Sequence, residues 1–358
     1  MGWARRTIRG YRVSVALLLA AVLAGLLIFA LNWHSRLYRV TILPRLGTRV
    51  VMPCSINDHS QIVGFCQGRF YLWERGKDWR ELGRASERSG LYINNAGQIA
   101  GTIDDPNGLK QEAFLWDPAD GTRLLDTLGL AHSEARALNN LGQVVGMSVT
   151  SSREEHAFIW DKPGGMRNLG PHSALAINDS GQVIVCSYGR YLLMESNHTD
   201  AAPIEIPPIK GRYGGGIYGI NNNGYVLSQG LNPNNGRDYA FIWHPDRGIE
   251  WLFSVRGRVP HMAALNDANQ VAVSESVLYS AWYKRLTRRN PRPYRQSFLW
   301  TRQRGRVLLD KYVRDRSGDY LTIAGLNNNG CVIGTVHRDT GSVFRAVLLE
   351  PIPERWGK

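Results

Sequence analysis

An all-β fold is predicted by three features of this 358-residue chain: a turn motif repeated seven times, an aromatic-rich stretch after each copy, and the lack of long runs with the 3.6-residue period of a helix. A fourth feature, an uncharged apolar run near the N-terminus, adds one membrane span. The full expectation is a seven-bladed β-propeller of four-stranded blades preceded by one transmembrane helix. Composition agrees, since 38 Gly, 11 Trp and 15 Tyr with only 20% charged residues suit short strands joined by tight turns.

The turn motif reads apolar residue, Asn, two or three turn residues often ending in Gly, then Gln and a β-branched pair. Its copies are SINDHSQIVG at Ser55, YINNAGQIAG at Tyr92, ALNNLGQVVG at Ala137, AINDSGQVIV at Ala176, GINNNGYVLS at Gly219, ALNDANQVAV at Ala264 and GLNNNGCVIG at Gly325. The anchoring residues Asn57, Asn94, Asn139, Asn178, Asn221, Asn266 and Asn327 stand 37 to 45 residues apart, except for a last interval of 61. Asn and Gly tolerate positive φ, and Asn can bond its own backbone across a tight turn, which assigns the repeated Asn a structural role.

After each anchor comes a second strand signal: FYLW ending at Trp73, AFLW at Trp116, HAFIW at Trp160, YLLM at Met194, AFIW at Trp243, SFLW at Trp300 and AVLL at Leu349. A turn and, in several copies, a strand ending in Leu-Gly follow, as at Leu82-Gly83, Leu128-Gly129 and Leu169-Gly170. Each unit thus offers four short strands at the period of a propeller blade. The seventh unit supplies about three strands before Pro351, while Tyr38–Leu43 has no partner in the first. That segment is expected to complete the last blade and so remove an open sheet edge.

These repeats resemble the bacterial extracellular repeat family known by its His-Ala-Phe signature, whose units run roughly A-I-N-x-x-G-Q-V-V-G, then H-A-F-x-W and a Leu-Gly strand. The third copy, with His156-Ala157-Phe158-Ile159-Trp160 and Asn168-Leu169-Gly170, matches almost throughout. Elsewhere the His is replaced by Glu112 or Tyr239, Met194 stands for Trp, and Asn269 for Gly. The resemblance covers about residues 37–351; it implies an exported propeller domain and assigns no activity.

From Val13 to Leu31 the chain runs 19 residues without a charge, enough to span about 30 Å of hydrocarbon. Arg5, Arg6, Arg9 and Arg12 precede it, and Trp33 and Tyr38 follow at interfacial positions. Residues 1–12 are read as a basic cytoplasmic N-terminus, 13–33 as a signal anchor, 37–351 as the repeat domain and 352–358 as a C-terminal tail. A cleaved signal peptide is the alternative. Both readings export the repeat domain to the periplasm or cell exterior.

The formal charge of +13 and pI near 9.8 direct attention to anionic partners. Cys54, Cys66, Cys186 and Cys331 show no metal-like spacing, and a Cys54–Cys66 bridge would sit about three positions out of register on its hairpin. No HExxH, GxSxG or phosphate-loop motif occurs, and no cofactor or metal is expected. His156 is read as strand packing, and the acidic stretches Asp104–Gly108 and Asp117–Gly121 as turns, since neither carries the oxygen spacing of a calcium loop.

The one departure from the repeat is an insertion at 275–296, in a stretch without an acidic residue from Ser276 to Leu309. It carries Lys284, Arg285, Arg288, Arg289, Arg292 and Arg295, interleaved with Trp282, Tyr283 and Tyr294, and Arg302, Arg304 and Arg306 follow. Guanidinium forks pair with oxyanions while aromatic rings stack or seat at interfaces, so the first nine of these residues are the candidate contact for an anionic ligand. The functional expectation is a membrane-anchored binding or scaffold module for a protein, anionic lipid or acidic glycan, with nucleic acid disfavoured outside the cytoplasm. The alternative is a polysaccharide- or peptide-cleaving enzyme with its site at the channel mouth.

Overall fold

The computed structural model describes residues 37–105, 107, 110–197, 202–207, 216–254, 261–277, 294–315, 318–338 and 342–356. The predicted span 13–33 and the basic stretch 1–12 lie outside them. Among the described residues no helix is long and apolar enough to cross a membrane.

Seven four-stranded antiparallel sheets form the blades of a β-propeller. The first is built from Met52–Ile56, Ile62–Cys66, Arg69–Trp73 and Arg80–Arg84, in that order from inner to outer edge. Five more follow the same order, ending with a sixth of His261–Leu265, Val271–Val277, Tyr294–Thr301 and Gly305–Leu308. The seventh takes Tyr320–Leu326, Val332–His337 and Val343–Pro351 from the C-terminal end and Tyr38–Ile42 as its outer strand. The Leu43 amide bonds the Ala346 carbonyl at 3.0 Å, so the ring closes by the strand exchange that the unpartnered N-terminal segment predicts.

Contacts group the chain into a propeller unit, Val40–Leu349, and a terminal unit of Met1–Arg39 with Glu350–Lys358. In the described part of the latter, the Ile352 amide bonds the Leu37 carbonyl at 2.9 Å ahead of the short helix Pro353–Trp356.

The core lies between blades. Phe158 and Trp160 face blade two, packing with Ala113, Leu115 and Val144, while Val145, Ala157 and Ile159 face blade four with Ala174, Val183 and Val185. Both faces of each sheet are therefore dry, which is why the third strands read as unbroken apolar runs instead of alternating. Phe114, Phe158, Phe241 and Phe298, each two residues before a Trp, are all fully buried at the same point of their blades, and Tyr71 takes that place in blade one.

The Gly that ends four of the turn motifs has a separate cause. Six of the seven inner strands bulge by one residue; in blade three the shift falls between Ala135 and Ala137, opposite Gly146 and Val145. The bulge presses the inner-strand backbone onto the second strand. A Cβ on Gly146 would collide with the Glu134 carbonyl oxygen, and one on Gly334 with that of Thr322. Because backbone is the obstacle, Gly146→Ala is expected to destabilise the protein by about 2–3 kcal/mol, read as a lowered denaturation midpoint at unchanged m-value.

Candidate functional site

The propeller presents two faces, set by strand direction. Leu265 pairs with Val271 at the end of the sheet that carries the Asn turn, whereas Val277 pairs with Tyr294 at the other. The first end is termed the Asn face and the second the loop face. Leu349 pairs with Val332, just after the Asn327 turn, and the closing strand runs antiparallel beside it. The propeller unit is thus entered and left at its Asn face.

On the Asn face, all seven anchoring asparagines are 2% to 4% exposed. Each side-chain oxygen accepts the amide four residues on; Asn57 takes those of His59 and Gln61 at 3.1 and 2.9 Å. Each Nδ2 donates to the backbone carbonyl of the next blade's anchor, at 2.9 to 3.1 Å, until Asn327 returns to Asn57 and closes the circle. A second circle lies beside it. The backbone amides of Asp58, Asn95, Asn140, Asp179, Asn222, Asp267 and Asn328 each donate to the side-chain Oδ1 of the next of these residues, at 2.8 to 2.9 Å.

No two of the three aspartates in that circle are neighbours. Asn95 and Asn328 both donate to Asp58 Oδ2, and Asn140 and Asn222 both donate to Asp179 Oδ2. A carboxylate accepts only, so an amide on either side satisfies it where a second carboxylate would repel it. The mouth within is a cavity of about 170 Å³ lined by these polar groups above Ile56, Ile93, Leu138 and Ile177.

Spokes run outward from the ring. Asn94 Nδ2 bonds Gln98 Oε1 at 2.7 Å, and Gln98 Nε2 bonds Asp117 at 2.8 Å. The Gln98 bond, with the Ala119 amide, holds the Asp117 carboxyl below its usual range. In blade one Lys77 and then Gln61 do the same for Glu74. Between blades two and three these groups border a groove of about 390 Å³, where Asp120 pairs with Lys162 at 2.7 Å and the Arg123 guanidinium lies 5.8 Å from the Trp160 ring centre.

The candidate anionic contact is only partly in view. Trp282, Tyr283, Lys284, Arg285, Arg288, Arg289 and Arg292 lie outside the described residues; Tyr294 opens the third strand of blade six, at the loop face, and Arg295 follows it. Among the described residues of the basic stretch, Arg302 and Arg306 stand apart from Arg295. Arg302, in the turn to the outer strand, pairs with Glu250 at 2.6 Å on the Asn face. Arg306 pairs with the buried Glu275 at 2.9 Å and stacks 4.5 Å from the Phe298 ring centre, within the joint of blades five and six. Spacing by two along a sequence did not reveal that a turn and a strand separate these charges.

The other expectations are resolved locally. His156 Nδ1 lies 3.0 Å from Asn168 Oδ1, at the strand position that packing predicts. The acidic stretches make turn bonds, Lys110 N to Asp105 Oδ1 at 3.0 Å and Ala119 N to Asp117 Oδ1 at 2.9 Å. All four cysteines are free, and burial pushes the Cys54 thiol up to about 12. Among the described residues, no group of three or more His, Cys, Asp or Glu side chains is placed to hold a metal. Sequence reasoning missed the blade-to-blade circles. The signal was the position after each anchor, which is Asp or Asn in all seven copies.

No family model matches the chain, and no curated protein matches it. Solved structures do resemble it in fold. The β-propeller domain of the trilobed protease from Pyrococcus furiosus aligns with 84% of this chain and 96% of its own at TM-score 0.56 and 10% identity; that domain has an open velcro topology, whereas here the seventh blade takes an N-terminal strand. Pyrococcus horikoshii acylaminoacyl peptidase aligns over 87% of this chain and 53% of its own, at TM-score 0.51 and 10% identity. A chain of the mitotic checkpoint complex aligns over 89% and 95%, at 0.50 and 10%. These likenesses establish the propeller fold.

The two circles make a direct stability claim. Asn139→Ala leaves the Asn178 carbonyl and the Leu141 and Gln143 amides without their partner in a buried ring, and is expected to cost about 2–4 kcal/mol by denaturant unfolding. Leu141→Ala, at a side chain 68% exposed in the same turn, is expected to change stability by less than about 0.5 kcal/mol.

Proposed function

We propose that this chain is a membrane-anchored, exported β-propeller that acts as a non-catalytic binding or scaffold module, taking a protein or an anionic surface ligand on its loop face. The observation that carries this reading is the use made of the Asn face: Asp58 and Asp179 both accept amides from the blades on either side. Those carboxylates hold the ring together, and a carboxylate fixed by neighbouring amides is poorly placed to act as a general base or nucleophile. The resemblance of the repeats to the His-Ala-Phe family, and the uncharged run at 13–31 behind four arginines, support export and anchoring by residues 13–33.

The loop face is the proposed contact side because the 278–293 connection, with five basic residues and no acidic one, leaves blade six from it. Outside the cytoplasm its anionic partners are lipid headgroups and acidic glycans rather than nucleic acid.

A second reading, a propeller enzyme acting on peptides or polysaccharides, draws on the fold likeness to a protease propeller and to a peptidase. It requires a reacting group that the ring does not engage. Reproducible hydrolysis of a peptide or glycan library by the purified chain would favour it over the binding module.

The binding module predicts measurable contacts. The full-length chain in neutral phosphatidylcholine nanodiscs is expected to bind polygalacturonate oligomers or phosphatidylglycerol vesicles, more weakly as salt is raised. Replacing residues 278–293 with a short Gly-Ser turn is expected to weaken that binding. Binding indifferent to salt and to the replacement would contradict the loop-face assignment.

A further inference from the structure

At the root of the insertion, on the loop face, three planar side chains stack. The Arg295 guanidinium lies 4.6 Å from the Tyr320 ring centre, and Tyr320 lies parallel to His337 with ring centres 4.9 Å apart. Arg295 Nη1 also donates to Tyr320 Oη at 3.1 Å, and His337 Nε2 lies 3.0 Å from the buried Thr335 hydroxyl. Tyr320 begins the inner strand of blade seven, whereas Arg295 belongs to blade six, so the stack crosses a blade joint.

A buried polar clamp sets this juxtaposition. Asp310, 3% exposed in the short helix Asp310–Val313, accepts the amide of Ser297 at 2.5 Å and the amide of Leu321 at 2.9 Å. Ser297 Oγ in turn donates to the Leu321 carbonyl at 2.6 Å, and Ser274 Oγ bonds both Ser297 Oγ, at 2.8 Å, and the Ile323 amide, at 2.9 Å. Ser297 is two residues after Arg295 and Leu321 one after Tyr320, so the clamp fixes the two backbones that carry the stack. Arg314 adds a bond to the Arg295 carbonyl at 3.3 Å.

Arg295 itself is exposed, and among the described residues no carboxylate pairs with it. The nearby acids are engaged: Asp310 in the clamp, and Asp315 with Arg345 at 2.9 Å. A guanidinium laid on an aromatic face loses water from one side, and with Nη1 on Tyr320 Oη its Nε–Nη2 edge is left to meet a planar or tetrahedral oxyanion in two parallel bonds. A long side chain held in one rotamer also loses less entropy when the ligand arrives.

We propose that Arg295, stacked on Tyr320 and held by the Asp310 clamp, is a preformed receptor for a carboxylate or phosphate group, carried by an acidic polymer or by a lipid headgroup. The proposal rests on the anionic-ligand reading above and assigns its specific contact.

The test is isothermal titration of the full-length chain in neutral nanodiscs with polygalacturonate oligomers and, separately, inorganic polyphosphate, which tell the two oxyanions apart. Arg295→Lys keeps the charge but loses the fork, and is expected to weaken binding of the preferred polymer by roughly tenfold with the thermal midpoint unchanged. Tyr320→Phe keeps the stack and removes the hydroxyl, and is expected to weaken it by roughly two- to fivefold. In the chain with 278–293 replaced, residual binding is expected to remain sensitive to Arg295→Lys. If the unaltered chain binds no anion, the functional reading fails and this proposal with it. If it binds, but Arg295→Lys leaves the affinity unchanged or lowers only the thermal midpoint, the functional reading stands and the Arg295 receptor is overturned. Binding to phosphatidylglycerol vesicles with neither polymer bound, and weakened by Arg295→Lys, would support the receptor with a lipid phosphate as its ligand; vesicle binding indifferent to Arg295→Lys would overturn it.

Discussion

The hydrogen bond from each anchoring Asn to the next blade's backbone is the interaction on which this structure depends. Blades otherwise meet through apolar side chains, and hydrophobic contact is non-directional: it fixes no angle between neighbouring sheets and no number of sheets. Seven identical donor–acceptor links, each from an Nδ2 to a carbonyl one blade on, supply both, because the circle is satisfied only when Asn327 reaches Asn57. The same residue satisfies its own turn with its Oδ1, so one side chain shapes the hairpin and joins it to its neighbour. Buried amides left without partners are costly, and that cost makes the motif difficult to vary.

The remaining architecture follows from this inner rim. Turns are locked on the Asn face, so variation in loop length collects on the opposite one, where the second-to-third connections range from the two residues at Gln67-Gly68 to the long 278–293 segment. Several joints carry additional polar stitching, among them the Ala113–Ser133 and Ala135–Thr102 bonds between blades two and three, the Glu275–Arg306 pair between blades five and six and the Asp310–Ser297–Ser274 clamp between blades six and seven. In the clamp, burial pushes the Asp310 carboxyl up, against two backbone amides that favour its ionised form. The blade that departs most from the repeat is thus tied to both of its neighbours by polar links.

Much of the fold was legible because each repeat encodes local and tertiary requirements in the same residues. Asn-x-x-Gly gives the turn, the apolar run gives a strand with two dry faces, and the surplus segment at Tyr38 gives the closure. What stayed hidden were relations between copies. Asp58, Asn95 and their equivalents look like ordinary turn residues, and only the ring brings their side chains to the next blade's amide. The Gly ending QVVG reads as a turn or bend, yet Gly146 is in mid-strand, required by a bulge that no one strand records. Nor does sequence order show where neighbouring charges go: Arg295, Arg302 and Arg306 reach the loop face, the Asn face and a blade joint respectively.

The central claim, that the two Asn-face circles hold the blades in one closed ring, is tested most directly by native-state hydrogen exchange at the backbone amides of Asp58, Asn95, Asn140, Asp179, Asn222, Asp267 and Asn328. Asn140, Asn222 and Asn328 are exposed turn residues, and turn amides of that kind ordinarily exchange by local fraying. The account predicts that all seven exchange together and slowly, through the same opening that unfolds the propeller. Fast, independent exchange at these positions, with the strands still protected, would contradict it.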